Sequence, residues 1–191
     1  MRHQTALFIA GVLAISGLSY TGSSYAGTVV IGENLGASCY REAKSGRSGK
    51  ASLDICDSAL RDDMLTATDM AATYVNRGIV RSASGDIGGA IQDYDRALSI
   101  NPQLAEAFAN RGTALMRQTR YEQALTELNR ALSLKPKDPG SVYFNRGILY
   151  EHFGDLKQAY LDYTKAAELR PEWQQPKQEL ERFAVHQKAV D

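Results

Sequence analysis

The residue types that usually carry chemistry are few and scattered in this sequence. Besides His3, the histidines are His152 and His186, and neither has a cysteine or a second histidine beside it on its predicted helix. No H-E-x-x-H, G-x-S-x-G, G-x-G-x-x-G or P-loop pattern occurs. The two cysteines are too few for a four-thiolate zinc site. The sequence therefore predicts no catalytic group, no resident metal and no cofactor.

Acidic side chains are numerous, but they recur at a fixed interval along the chain. Three of them follow an arginine by 16 residues, in the pairs Arg77 and Asp93, Arg111 and Glu127, and Arg146 and Asp162. A charge that recurs at a regular interval is more typical of a scaffold than of a catalyst. An enzyme with a site around Glu151 and His152 is the alternative.

The overall charge argues against two classes of binding protein. The 191 residues contain 22 Lys and Arg against 22 Asp and Glu, so neither sign has the excess that a nucleic-acid binder or an acidic tail needs. Hydrophobic residues make up 43% and charged residues 23%, as in an ordinary globular domain of about this length.

The N-terminal 26 residues have the pattern of a cleaved signal peptide. The apolar run Ala6–Leu18 is shorter than the ~20 residues of a membrane-spanning helix, and Ser24 and Ala26 place small residues before a cut at Gly27. An uncleaved anchor is the alternative. No later apolar run is long enough to span a membrane. The sequence therefore predicts an exported protein of the periplasm, or alternatively a secreted one.

The rest of the chain is repetitive. Asn-Arg-Gly triplets begin at residues 76, 110 and 145, and fixed distances separate their glycines from recurring small residues and prolines: Ala90, Ala124 and Ala159, then Ala97, Ala131 and Ala166, then Pro102, Pro136 and Pro171. Over about residues 71–173 this pattern resembles the tetratricopeptide repeat family, in which each unit of ~34 residues is a helix-turn-helix.

The repeat pattern predicts an all-α fold, an α-solenoid of tandem helix-turn-helix hairpins. The glycines and alanines allow close helix packing, the prolines end each second helix, and Gly85 and Gly154 form turns. Thr119 and Arg120 replace the turn glycine in the middle repeat, which should cost some stability. The predicted units are a degenerate N-terminal hairpin (27–68), three repeats (69–103, 104–138 and 139–173) and a C-terminal capping helix (174–191).

The degenerate hairpin contains both cysteines, Cys39 and Cys56, one on each predicted helix. In an oxidising compartment they can form a disulfide, and closing a loop of ~18 residues is worth roughly 3 kcal/mol in the chain-entropy model. This is similar to the cysteine-clamped helix pairs of some secreted bacterial repeat proteins. Two buried free thiols are the alternative.

The recurring arginines occupy a position where the family usually has a buried leucine. We expect each arginine to lie along its hairpin and pair with the acid 16 residues later on the facing helix. Such pairs would fix the register between helices. The alternative is that the arginines bind an anionic ligand.

The resemblance implies a concave groove lined by first helices, which could bind an extended or helical peptide segment. Relatives that clamp a terminal carboxylate use an Asn at the position of Asn76, but Ala72 and Ser141 replace the lysines of such a clamp. Alternatively, the asparagines bond to neighbouring helices. The predicted groove residues are Val75, Asn76, Ile79, Asn110, Thr113, Met116, Phe144, Asn145, Ile148 and His152.

These observations predict a non-catalytic protein-protein interaction scaffold that binds a protein or peptide partner, without nucleic acid. The principal alternative is a self-associating structural component of a cell-envelope assembly, a homo-oligomer that stacks through the C-terminal helix. The enzyme is the second alternative.

Overall fold

A computed structural model describes residues 35–62 and 64–188. These residues form nine α-helices and no strand, which confirms the all-α prediction. The predicted signal peptide (1–26) and residues 27–34 of the N-terminal extension lie outside the described residues. The helices are α1 (Leu35–Lys44), α2 (Lys50–Leu60), α3 (Ala67–Ala83), α4 (Ile87–Ile100), α5 (Ala105–Arg117), α6 (Tyr121–Ser133), α7 (Pro139–His152), α8 (Leu156–Leu169) and α9 (Gln174–Lys188).

Close packing within each hairpin depends on the repeated glycines. The most extensive helix contacts are those of α3 with α4, α5 with α6, and α7 with α8. A Cβ atom on Gly78 would lie 2.5 Å from the ring of Tyr94, and one on Gly112 would lie 2.9 Å from Cδ2 of Leu128. The same atom on Gly147 would meet a tyrosine ring at 2.8 Å. The three glycines therefore occupy equivalent helix contacts, as the repeat spacing predicts.

The turns inside the hairpins differ in backbone strain. Gly85 and Gly154 adopt positive φ angles of 91° and 79°, which glycine tolerates. Thr119 occupies the equivalent position in the second hairpin with φ 58°, a conformation that a β-branched residue rarely adopts. Asp86 and Asp155 also cap the following helices by accepting backbone hydrogen bonds, whereas the side chain of Arg120 makes no such bond.

The N-terminal hairpin is closed by a disulfide between Cys39 and Cys56. Both cysteines are fully buried, and Cys39 joins the same apolar cluster as Val75 and Tyr94. Helix α1 packs against both α2 and α3. The prediction of a disulfide-linked helical hairpin is confirmed, and the alternative of two free thiols is wrong.

The C-terminal helix covers the last hairpin. Leu180 and Phe183 of α9, together with Trp173 just before it, pack against a cluster that contains Phe144 and Tyr163. Phe183 lies 6.0 Å, centroid to centroid, from the Tyr163 ring. Helix α9 therefore occupies the position that the first helix of a further hairpin would take, which fits the predicted capping role.

Candidate functional site

The inner face of the solenoid is closed at its N-terminal end. Val75, Asn76 and Ile79 are each 0% exposed, because α1 packs across α3 as a full neighbouring helix. The prediction that these three residues line an open groove is therefore wrong for this structure. A groove can begin only at the next first helix, α5.

The prediction that Phe144 lines the groove is also wrong. Its side chain is 2% exposed, and its ring lies 4.7 Å from the ring of Trp173 and 5.6 Å from that of Tyr163. Phe144 thus belongs to the apolar cluster beneath α9. Its register position is shared with Val75 and Ala109, and all three face the core.

The three repeated asparagines have different environments although they share one register. Asn145 donates from Nδ2 to Oγ1 of Thr113 at 3.0 Å, which links α7 to α5. Asn110 is 4% exposed, and its Nδ2 has no hydrogen-bond partner among the described residues. Within the same part of the chain, Asn76 is unpaired at both amide atoms. The residue of α3 that corresponds to Thr113 is Ile79, which has no hydrogen-bonding side chain. The predicted alternative, that the asparagines bond to neighbouring helices, is therefore met by the side-chain amide of Asn145 and not by those of Asn76 and Asn110 among the described residues.

The accessible part of the inner face lies between α5 and α7. Thr113, Met116 and Ile148 are half-buried there, while Arg117 and His152 are exposed at the ends of their helices. We call these five residues the inner wall. Four of them were predicted from the sequence as groove residues. Arg117 was missed, although it precedes His152 by the repeat spacing of 35 residues.

Two contacts hold the exposed residues of the inner wall in place. Nη1 of Arg117 donates to the backbone oxygen of Ser82 at 2.6 Å and to its Oγ at 2.9 Å, which ties α5 to the C-terminal end of α3. The His152 ring lies 4.1 Å from the ring of Tyr121, at the start of α6. The inner wall thus offers two half-buried apolar side chains, Met116 on α5 and Ile148 on α7, with a positioned cation and an imidazole at the C-terminal ends of these two helices.

The repeated arginines pair with the acids that the sequence predicts. Arg77 donates from Nε and Nη2 to the two carboxylate oxygens of Asp93, at 2.9 and 2.6 Å. Arg146 bonds to Asp162 in the same way, whereas Nε and Nη2 of Arg111 both donate to one oxygen, Oε2, of Glu127. Because their donors are engaged inside the protein, the alternative role of these arginines as ligand-binding cations has no support in the geometry.

Each arginine also bonds to the second helix of the preceding hairpin, a link that sequence reasoning missed. Nη1 donates at 2.7 to 2.8 Å, from Arg77 to Asp57, from Arg111 to Asp95 and from Arg146 to Asn129. The signal was weak, because these partners lie 20, 16 and 17 residues before their arginines. The arginines therefore join successive hairpins as well as the helices within each.

Burial and pairing have opposite effects on these arginines. Burial by itself would lower the pKa of Arg77, but the hydrogen bonds that Arg77 donates to Asp93 and Asp57 and the negative charges of both carboxylates raise that pKa above its usual value. The pKa values of Arg111 and Arg146 are raised for the same reasons. Each guanidinium also lies 5.3 to 5.5 Å from an aromatic ring of its own helix: Tyr74, Phe108 or Tyr143.

Glu151 and His152 do not form a catalytic pair. Glu151 accepts hydrogen bonds from the Tyr163 hydroxyl at 3.0 Å and from Arg182 at 2.6 Å, so it faces α8 and α9. His152 packs instead on Tyr121 of α6. Burial, followed by the charge of Glu151, raises the pKa of Tyr163. Among the described residues, no group of three or more His, Cys, Asp or Glu is placed to hold a metal ion.

The helical hairpins and their stacking define the chain as an α-solenoid. The chain belongs to the tetratricopeptide repeat family: family profiles described as "TPR repeat" and "Tetratricopeptide repeat" match residues 78–119, 105–138 and 140–172. This fold is in general a non-catalytic interaction module. In the part of the chain that the structure describes, no helix is long and apolar enough to cross a membrane.

Similar proteins were found by sequence and by structure. "Tetratricopeptide repeat protein 36 homolog" of Drosophila melanogaster is 32% identical over 97 residues, which are 49% of this chain and 52% of that protein. The chain thus spans about half the length of this curated relative. The crystal structure of MamA matches with a TM-score of 0.62 at 20% identity, over 84% of this chain and 91% of MamA.

A third similar protein was solved with a ligand. The first repeat domain of Spaghetti (RPAP3), bound to the HSP90 peptide SRMEEVD, matches with a TM-score of 0.57 at 23% identity. The match covers 63% of this chain and 96% of that domain. At such identities these structures establish the fold alone.

Proposed function

We propose that this protein is a non-catalytic interaction scaffold that binds a segment of a partner protein on the inner wall. The observation that carries this proposal is the pair of half-buried apolar side chains Met116 and Ile148 on α5 and α7, two first helices that end at the exposed polar residues Arg117 and His152. Apolar side chains of a bound segment would pack on Met116 and Ile148, and its backbone would meet the polar groups at the ends of the two helices. A similar fold bound to a peptide supports this mode of recognition.

The chemistry of the inner face favours an internal segment over a terminal carboxylate. The first-helix position where relatives with a carboxylate clamp have lysine is occupied here by Ala72, Glu106 and Ser141, which are all buried. The carboxylate of Glu106 is already engaged, because it accepts a hydrogen bond from the backbone N–H of Lys137 at 3.2 Å. A peptide whose terminus is amidated should therefore bind as well as the same peptide with a free carboxylate.

We also propose that the protein works outside the reducing cytosol, in the periplasm or after secretion. The buried Cys39–Cys56 disulfide supports this location, because such bonds persist in oxidising compartments. Fractionation of cells that express the full chain tests the location. A mature protein that begins at Gly27 in the periplasmic fraction is the expected result, and an uncleaved cytosolic protein would contradict it.

The binding proposal is tested with a charge-inserting double variant, Met116→Glu with Ile148→Glu. Each carboxylate would have to be desolvated against an apolar ligand side chain, so capture of partners from a periplasmic extract should fall at least about tenfold. The matched control is Gln92→Glu with Thr126→Glu, which adds the same charge at exposed positions of α4 and α6. Equal recovery of partners by the two double variants would remove the inner wall as the binding site.

A further inference from the structure

The third hairpin carries an exposed apolar patch that begins beside the inner wall, where the Phe153 ring lies 5.3 Å, centroid to centroid, from that of His152. Four side chains form it: Phe153 is 41% exposed, Leu156 54%, Tyr160 46% and Leu161 49%. They occupy the turn between α7 and α8 and the first two turns of α8. We call these four residues the end patch. Large apolar side chains that are exposed together often mark an interaction surface.

The other two hairpins serve as internal controls, because they have the same backbone arrangement. At two positions of the end patch they carry exposed polar residues instead, so the fold itself does not require apolar side chains there. The counterparts of Phe153 are Ser84 and Gln118, and those of Leu161 are Gln92 and Thr126.

Leu156 and Tyr160, the other two residues of the end patch, lie where the stacking of hairpins ends. Their counterparts in the first two hairpins are half-buried against the hairpin that follows: Ile87 and Ile91 in α4, Tyr121 and Leu125 in α6. In the third hairpin the Tyr160 ring lies 6.2 Å, centroid to centroid, from that of Phe183 of α9, yet 46% of the tyrosine remains exposed. The end patch is thus continuous with the α8–α9 interface and only partly covered by it.

We propose that the end patch binds the end patch of a second copy of this chain, which forms a two-fold dimer. The charges beside Leu156 carry this choice of occupant, because exposed Asp155 precedes it and exposed Lys157 follows it. A two-fold axis at Leu156 places Leu156 against its own copy and Asp155 opposite Lys157 of the second copy. Acid then meets base on both sides, as a self-complementary interface requires.

The same axis brings Phe153 of one copy towards Tyr160 of the other, so the apolar side chains cover each other. Four side chains form a smaller surface than the ~800 Å² per partner of a standard stable interface. The dimer should therefore be weak and reversible, and its population should rise with protein concentration. The contact uses α8 and the preceding turn, whereas the sequence predicted self-association through the C-terminal helix.

Sedimentation equilibrium of the purified chain over a wide range of concentration tests the dimer. The first variant, Phe153→Gln with Leu161→Thr, introduces residues that the chain already carries at the equivalent exposed positions. It should fold normally and should weaken dimerisation at least about tenfold. The second variant, Lys157→Glu, places two acids opposite two acids and should also weaken the dimer. Its control, Lys165→Glu, changes an exposed lysine two turns further along α8 and should leave the dimer intact.

Three outcomes would overturn the proposal. The wild type could remain a monomer at every concentration, and the proposal would then fail even if the end patch bound a different protein. The dimer could persist in Phe153→Gln with Leu161→Thr, which would place the interface elsewhere. Lys165→Glu could weaken the dimer as much as Lys157→Glu does, which would show that charge pairing beside Leu156 plays no part. Circular dichroism of each variant separates loss of the dimer from loss of the fold.

Discussion

Arg77 and Asp93 form a two-bonded ion pair inside the first hairpin, with N···O distances of 2.9 and 2.6 Å. Asp93 is 1% exposed, and Nη1 of Arg81 lies 3.2 Å from it as well, so two guanidinium groups surround one carboxylate. A buried carboxylate is tolerated only when its charge is compensated in this way. The pair therefore sets the register of α3 against α4.

Replacement of Asp93 by alanine should destabilise the protein strongly. The change leaves Arg77 and Arg81 partly buried without their shared carboxylate, which typically costs about 3 kcal/mol. The control is Asp95→Ala, because the side chain of Asp95 is 54% exposed in its pair with Arg111. An exposed pair of this kind contributes at most ~1 kcal/mol. Equal losses in urea-unfolding experiments would show that burial of the pair does not matter.

Reduction of the disulfide should lower the free energy of unfolding by about 3 kcal/mol, because the Cys39–Cys56 link restricts the unfolded chain. Thermal melts with and without reductant measure the difference. A variant with both cysteines changed to alanine should resemble the reduced protein, and it should not respond to reductant since the chain has no other cysteine. An oxidised wild type that melts together with this variant would contradict the expectation.

Contacts inside one hairpin were predictable because the chain repeats the same spacing three times. Gly78 and Tyr94 are 16 residues apart, and helix geometry fixes which residues at that separation face each other within a helix-turn-helix unit. The pairing of Arg77 with Asp93 follows from the same separation. The contacts that recurring residues make within their own hairpin were therefore predicted correctly.

The environment of the inner-face asparagines was not predictable from the same pattern. Asn110 and Asn145 occupy one register position, yet among the described residues Nδ2 of Asn110 has no hydrogen-bond partner, whereas Asn145 bonds to Thr113 on the preceding first helix. The difference arises because Ile79 stands on α3 where α5 has Thr113. Asn76, at the same register position, is fully buried because α1 packs across α3. The repeated asparagines have partners across hairpins that do not repeat, so sequence periodicity could not predict which asparagine would be paired.

Alanine should have opposite effects at two glycines of the first hairpin. A Cβ atom on Gly78 would lie 2.5 to 3.0 Å from three atoms of the buried Tyr94 ring, so Gly78→Ala should destabilise by about 1–3 kcal/mol. Gly88 lies at the start of α4, where an added Cβ meets nothing within 4 Å. Gly88→Ala should therefore stabilise by up to about 1 kcal/mol through helix propensity. Chemical denaturation of both variants measures the difference, and destabilisation of equal size at the two sites would contradict close packing at Gly78.

The strained turn of the second hairpin offers a stabilising substitution. Thr119 has φ 58°, whereas the equivalent Gly85 of the first hairpin has φ 91° without penalty. Left-handed backbone costs a residue with a side chain roughly 1–2 kcal/mol, so Thr119→Gly should raise the free energy of unfolding by about 1 kcal/mol. The hydrogen bond from Oγ1 of Thr119 to the Gln118 oxygen is exposed and offsets little of this gain. The reciprocal change, Gly85→Thr, should destabilise by a similar amount, and urea unfolding measures both. If Thr119→Gly lowers stability instead, the threonine side chain contributes more to the turn than its backbone strain removes.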